Sequence, residues 1–129
     1  MTDATTEENR KIVERFVDLV YRQKKTREAF EACVSADRYI QHNPNMPDGR
    51  EAAIEMLAPK FSAPGFHAEV LRVLVDGPLA VVHLFARGAP EQRGAAVADI
   101  FRLEDGLIVE HWDVLQPVPE QALSRHPMF

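Results

Sequence analysis

Asp99, His111 and Asp113 are the side chains in this chain best placed by type and spacing to do acid and base chemistry, because each interrupts an otherwise apolar run. Aspartate is disfavoured in strands, and a buried carboxylate has to be paired or carry a large desolvation cost. Two carboxylates beside an imidazole are expected to titrate as a coupled set. A fourth ionisable group, His83, sits inside the apolar run Ala80-Val81-Val82-His83-Leu84-Phe85. Tyr39, His42 and Asn43 lie on a short segment that Pro44 keeps out of helix, and they supply hydrogen-bond donors. These residues also fit plainer roles. Asp99 with His111 makes a structural pair, His83 a packed core histidine, and His42-Asn43-Pro44 a simple turn. His67 and His126 read as surface and tail positions, and Trp112 as packing.

Other chemistries lack their residues. Neither a glycine-rich phosphate loop, a G-x-S-x-G elbow nor a His-Glu-x-x-His motif is present. Serine occurs only at Ser35, Ser62 and Ser124 and lysine only at Lys11, Lys24, Lys25 and Lys60, all outside the strand-like runs. That argues against a triad hydrolase and a Schiff-base lysine. The histidines and aspartates follow no dense ligand spacing, so no metal and no cofactor are expected.

The elements that must position these groups follow from periodicity. Thr5 and Glu8 have capping-box spacing, and Ile12, Val13, Phe16, Val17 and Val20 mark one face of a helix over roughly 6–23. Thr26 is expected to cap a second helix carrying Phe30, Cys33 and Val34. Asp48 with Glu51 is expected to cap a third carrying Ala53, Ile54, Leu57 and Phe61, which Pro59 should kink or end early. From Phe66 the pattern turns to β, with runs at about 66–75, 79–87, 94–103 and 107–116 separated by turn residues. Helices first and hairpins afterwards predict one α+β domain over residues 1–129, with three N-terminal helices on a curved antiparallel sheet and 117–129 as a tail. The apolar end of that tail, Met128-Phe129, is expected to cover the pocket or a neighbouring subunit.

Leu103-Glu104-Asp105-Gly106-Leu107 reads as a three-residue hairpin with Gly106 left-handed. Phe101 then faces Val109, Asp99 faces His111, and Val97 faces Asp113, all on one face. Ala98, Ile100, Arg102, Ile108, Glu110, Trp112 and Val114 take the other. A two-residue loop would instead set Asp99 beside Trp112, since a slip by one residue flips a strand's faces. Ile100, Trp112 and Val114 form an apolar strip, from which a homodimer is expected.

Composition narrows the partners. The chain has 129 residues, 46% hydrophobic and 27% charged, with 15 basic against 20 acidic side chains and a net charge of −5. Such a balance suits a folded globular domain and offers no general attraction for nucleic acid or anionic membrane. Cys33 is the lone cysteine, which excludes an intrachain disulfide and suits a reducing compartment. With a polar, acidic N-terminus and no long apolar segment, a cytoplasmic location is expected.

Tyr39-Ile40-Gln41-His42-Asn43-Pro44 with Asp48-Gly49-Arg50-Glu51-Ala52, and Asp99-Ile100-Phe101-Arg102-Leu103-Glu104-Asp105-Gly106 running into Ile108-Val109-Glu110-His111-Trp112-Asp113, resemble the SnoaL-like polyketide cyclase branch of the NTF2-like superfamily. The resemblance implies a cone-shaped half-barrel closed by helices around a deep apolar pocket, usually dimeric. It also implies a last-strand carboxylate acting as acid and base in an aldol closure, which carries onto Asp113, with the facing polar position on Asp99. In epoxide hydrolases of this fold an arginine lies between two carboxylates, two residues before one of them. Val97 stands there, against that reaction.

The expected activity is therefore a cofactor-independent aldol-type condensation or cyclisation of an apolar carbonyl compound. Asp113 is the expected base, tuned by His111 and Asp99, with Tyr39, His42, Asn43, His83 and Phe101 contacting substrate. A ketosteroid-isomerase-like isomerisation or a dehydration would use the same residues, and a non-catalytic binder of an apolar molecule would need only the pocket.

Overall fold

The computed structural model describes residues 4–129. Helix α1 (Ala4–Val17) runs into a π-helical turn (Asp18–Arg22), followed by α2 (Thr26–Cys33), β1 (Ile40–Gln41), α3 (Arg50–Ser62), β2 (His67–Asp76), β3 (Leu79–Arg87), β4 (Ala95–Glu104) and β5 (Leu107–Pro117). The strands form one sheet in the order β1-β5-β4-β3-β2. The α+β architecture and the four antiparallel strands agree with the periodicity. The segment before Pro44 adds a fifth strand, β1, which pairs in parallel with β5 through Ile40 and Gln41.

Of the stripe expected on the first helix, Val13, Phe16, Val17 and Val20 are buried to 3% exposure or less, and Ile12 is half-buried against the same core. They pack on the inner face of the sheet, where the Phe16 ring meets Phe30 at 5.1 Å and Phe101 at 5.5 Å, both edge-on. The start of α1 is pinned to the β2–β3 turn. Asn9 donates from Nδ2 to the Gly77 carbonyl at 2.9 Å, and the Gly77 amide donates to Thr6 Oγ1 at 2.8 Å. No helix among the described residues is long and apolar enough to cross a membrane.

The helix ends depart from the expected caps. Thr5 lies inside α1, one residue past its first described position. Thr26 is the first residue of α2 rather than its cap, and its buried hydroxyl has no hydrogen-bond partner among the described residues. Gly49, at φ 105°, precedes α3 and leaves Asp48 free to accept the Gln41 amide at 2.8 Å. Pro59 neither ends α3 nor stops it from reaching Ser62. Only one turn follows it, so one missing backbone bond near a helix end is tolerated.

The β4–β5 hairpin corrects the expected register. Glu104 pairs with Leu107, so the loop has two residues, Asp105 at φ 50° and Gly106 at φ 77°. Two positive φ values define a type I′ turn, which Asp-Gly accommodates well. One pair later the register shifts: Leu103 faces Ile108, but Arg102 faces Glu110, leaving Val109 as a bulge. The bulge restores the face that the two-residue loop alone would have reversed. Phe101 thus faces His111 rather than Val109, Asp99 faces Asp113 rather than His111, and Val97 faces Leu115 rather than Asp113. Ile108, expected outside, is fully buried.

The tail does not cover the pocket. Phe129 rests on Phe85 at a ring separation of 4.7 Å, and Phe85 alternates with the inward Leu84 and Ala86, so the tail docks on the outer face and away from the cavity.

Gly106→Ala tests the turn. A Cβ there meets only Ile12 Cδ1 at 3.8 Å, an ordinary contact, so the cost is the left-handed backbone alone. Chemical denaturation should show a loss of about 1 kcal/mol. No loss would mean that the hairpin does not rely on the I′ geometry.

Candidate active site

A cavity of about 980 Å³ lies between the inner face of the sheet and the helices. Its wall is largely apolar, from Phe16, Val20, Phe30, Phe61, Leu84 and Phe101. Into it project Tyr21, Tyr39, Gln41, Asn43, Asp99, His111 and Asp113.

Period-two alternation places most of these groups. On β4, Val97, Asp99, Phe101 and Leu103 all point inward and are buried. Beyond the bulge, His111 and Asp113 point inward from β5. On the β1 segment, Tyr39, Gln41 and Asn43 share the inner side.

Asp99, 3% exposed, has two hydrogen-bond partners. The Tyr21 hydroxyl donates to Oδ2 at 2.5 Å, and His111 Nε2 lies 2.9 Å from Oδ1. Tyr21 comes from the π-helical turn, a local rewinding of the kind often found at functional sites. The opposite edge of the His111 ring faces Gln41 Oε1 at 2.8 Å. Its faces pack between Phe101, at 5.1 Å, and Tyr39, at 6.4 Å. Burial, with the Asp99 charge adding to it, pushes both the Tyr21 and Tyr39 hydroxyls well above the usual phenol range. Both phenols therefore stay protonated at neutral pH and do not act as bases.

Asp113 is held differently. Its carboxylate, half-buried on the cavity wall, accepts the Asn43 side-chain amide at 3.1 Å to Oδ1 and 3.0 Å to Oδ2. One neutral donor shared between two oxygens leaves lone pairs for a ligand. Asp99, His111 and Asp113 each offer one ligand atom, all within 4.8 Å of one another, a set that could hold a divalent cation. A cation there would have to displace the contact between His111 Nε2 and Asp99.

Among the residues expected to contact substrate, Tyr39, Asn43 and Phe101 line the cavity and two do not. His83 is on the outer face, because Ala80, Val82 and Leu84 take the inner positions of β3; its Nδ1 accepts from Arg72 at 2.9 Å. His42 is also outside, stacked on Trp112 at 4.7 Å with Nε2 2.7 Å from Glu110 Oε2. On that face Glu110 also accepts from Arg102 Nε at 2.7 Å, and its pKa falls below the usual carboxylate range because His42, then Arg102, hydrogen-bond it. Two residues of the site were absent from the sequence reading. Gln41 was detectable, since it lies two residues from both Tyr39 and Asn43. Tyr21 had no comparable signal.

Tyr21→Phe removes one donor from a buried carboxylate without changing shape. Thermal or chemical denaturation should show a loss of about 1–3 kcal/mol. An unchanged midpoint would show that Asp99 does not depend on the phenol.

The SnoaL-like domain family matches residues 13–111. No curated protein matches the sequence. Among solved structures, an NTF2-like protein of unknown function from Mesorhizobium loti is 20% identical, with TM-score 0.77, covering 90% of this chain and 97% of its own. A candidate ketosteroid isomerase from Kribbella flavida is 20% identical over 96% of this chain and 89% of its own, with TM-score 0.73. A candidate SnoaL-like polyketide cyclase from Jannaschia sp. CCS1 is 20% identical over 89% of this chain and 90% of its own, with TM-score 0.69. At these identities the structures establish the NTF2-like fold. With that fold, and with a family match over most of its length, the chain belongs to the SnoaL-like domain family.

Proposed function

We propose that this protein is a cofactor-independent acid/base enzyme acting on an apolar carbonyl compound in an aldol-type condensation or cyclisation. The observation that supports it is the inequality of two carboxylates on the wall of one apolar cavity. Asp99 is occupied by Tyr21 and His111, whereas Asp113 has, among the described residues, a single neutral partner and faces the open space.

In this reading Asp113 takes the proton from the carbon next to the carbonyl, and the electron pair moves onto the carbonyl oxygen as an enolate. The enolate carbon then bonds to a second carbonyl carbon of the substrate. The alkoxide formed there takes the proton back from Asp113, so the sequence closes without oxidant or reductant. Donors for the enolate oxygen are Tyr39 and the Asn43 amide, in place of the outward His42 and His83. An isomerisation would use the same proton transfers without bond closure. The wide apolar lining also supports a second reading, a binder of an apolar molecule without turnover.

The protein is further proposed to act as a homodimer joined through the outer sheet face. Val114, Leu74 and Leu79 are 63%, 57% and 47% exposed on the face that also carries Trp112 and Ile100. Sedimentation should give a dimer at micromolar concentration and a monomer for Val114→Glu. A monomeric parent protein would overturn the proposal.

Asp113→Asn keeps shape and removes the proton acceptor. Turnover of a carbonyl substrate should fall by about 10² to 10⁴ with ligand affinity kept. The melting temperature should hold or rise, because a charged group leaves a largely apolar wall. A variant that melts several degrees lower and stays active would end the catalytic assignment and leave the binder reading.

A further inference from the structure

The hydrogen bonds of the cavity run Tyr21–Asp99–His111–Gln41 to the Asn43 backbone amide, and the Asn43 side chain continues to Asp113; the residues come from the π-helical turn, β4, β5 and the β1 segment. We propose that Gln41 is a positioning residue at its centre, fixing which nitrogen of His111 carries a proton and holding Asn43 on Asp113.

The assignment follows from donors and acceptors alone. The backbone amide of Asn43 points at Gln41 Oε1 at 3.0 Å, and a backbone amide can only donate. The atom there must be the oxygen, so the orientation of the Gln41 amide is decided, with its Nε2 turned to Met46 Sδ at 4.0 Å. That same oxygen lies 2.8 Å from His111 Nδ1. An amide oxygen cannot donate, so Nδ1 carries a hydrogen. On the far side of the ring, Nε2 and Asp99 Oδ1 at 2.9 Å then share a single proton, while the Tyr21 hydroxyl supplies its own to Oδ2. The Gln41 backbone is itself tied, its amide donating to Asp48 Oδ1 at 2.8 Å and its Cα paired with His111 in β1–β5. Gln41 therefore presents one oxygen to two donors from a fixed position. One of them orients the imidazole behind Asp99, and the other begins the residue whose side chain holds Asp113.

The proton assignment stands on this geometry, whereas its effect on turnover rests on the function proposed above, and the experiment separates them. In protein labelled with ¹⁵N-histidine, long-range proton–nitrogen correlation at neutral pH should show His111 Nδ1 bearing hydrogen in the parent chain. Gln41→Met removes the acceptor at similar length. The Nδ1 hydrogen should then exchange with solvent ~10-fold faster, corresponding to about 1.4 kcal/mol. Gln41→Glu keeps an acceptor and should restore slow exchange. A parent chain with a bare Nδ1, or a folded Gln41→Met protein with unchanged exchange, overturns the proposal. The parent measurement needs no variant, so a misfolded Gln41→Met leaves it decisive. With a carbonyl substrate, Gln41→Met should displace the pH profile of kcat and change KM little, and Gln41→Glu should recover kcat; an unmoved profile overturns the positioning role. Absence of turnover in the parent chain, with the Nδ1 hydrogen in place, removes the function and supports the assignment of Gln41.

Discussion

The Asp99 carboxylate lies at the middle of the sheet's inner face with 3% of its surface exposed, where an uncompensated charge is too costly to keep. Its partners come from distant parts of the chain: Tyr21 is 78 positions away and His111 is 12. The first helix must therefore be docked and its end rewound as a π turn before one oxygen is satisfied. The β4–β5 bulge must form before the other is. Helix, turn and bulge are jointly constrained by this group.

Its position also sets the character of the cavity. Asp99 and Asp113 are directly paired on adjacent strands, an arrangement that is unfavourable for two bare like charges. The structure separates their fates by partner. Asp99 receives a phenol and an imidazole, while Asp113 receives one amide and the open space. The β1 segment makes this possible. It is too short to stabilise itself, but it is held by its pairing with β5, by the Asp48 side chain and by the Gly49 amide on the Tyr39 carbonyl at 2.9 Å. Outside the same strands, His42, Arg102 and Glu110 form a separate hydrogen-bonded group that does not line the cavity.

Which polar residues reach the cavity was partly legible. Alternation along β4 selects Asp99 because its neighbours on the inner face are Val97, Phe101 and Leu103 while the outer face carries Arg102. Alternation along β3 could not do this for His83. Both faces there are apolar, Ala80, Val82 and Leu84 against Val81 and Phe85, so hydrophobicity does not say which is inside. For His42 the period was informative, since residues 39, 41 and 43 must share a side that 42 cannot. Tyr21 is another apolar-compatible residue at the end of an amphipathic helix, and nothing local marks its hydroxyl as a partner for Asp99.

The sequence by itself determined the helical stripe of Val13, Phe16, Val17 and Val20, the four long strands, and the presence of Asp99, His111 and Asp113 among apolar neighbours, because those are signals of local period and composition. Only the tertiary structure decided how they meet. An Asp-Gly pair accepts either a two-residue or a three-residue hairpin loop, and the two differ by a flip of every side chain. The choice was made by a bulge at Val109, next to an Ile108 that is bridged to Val34 and bonded by the Ser35 amide at 2.9 Å. Those contacts come from a segment more than seventy residues earlier, so no window along the strand contains the information that sets its register.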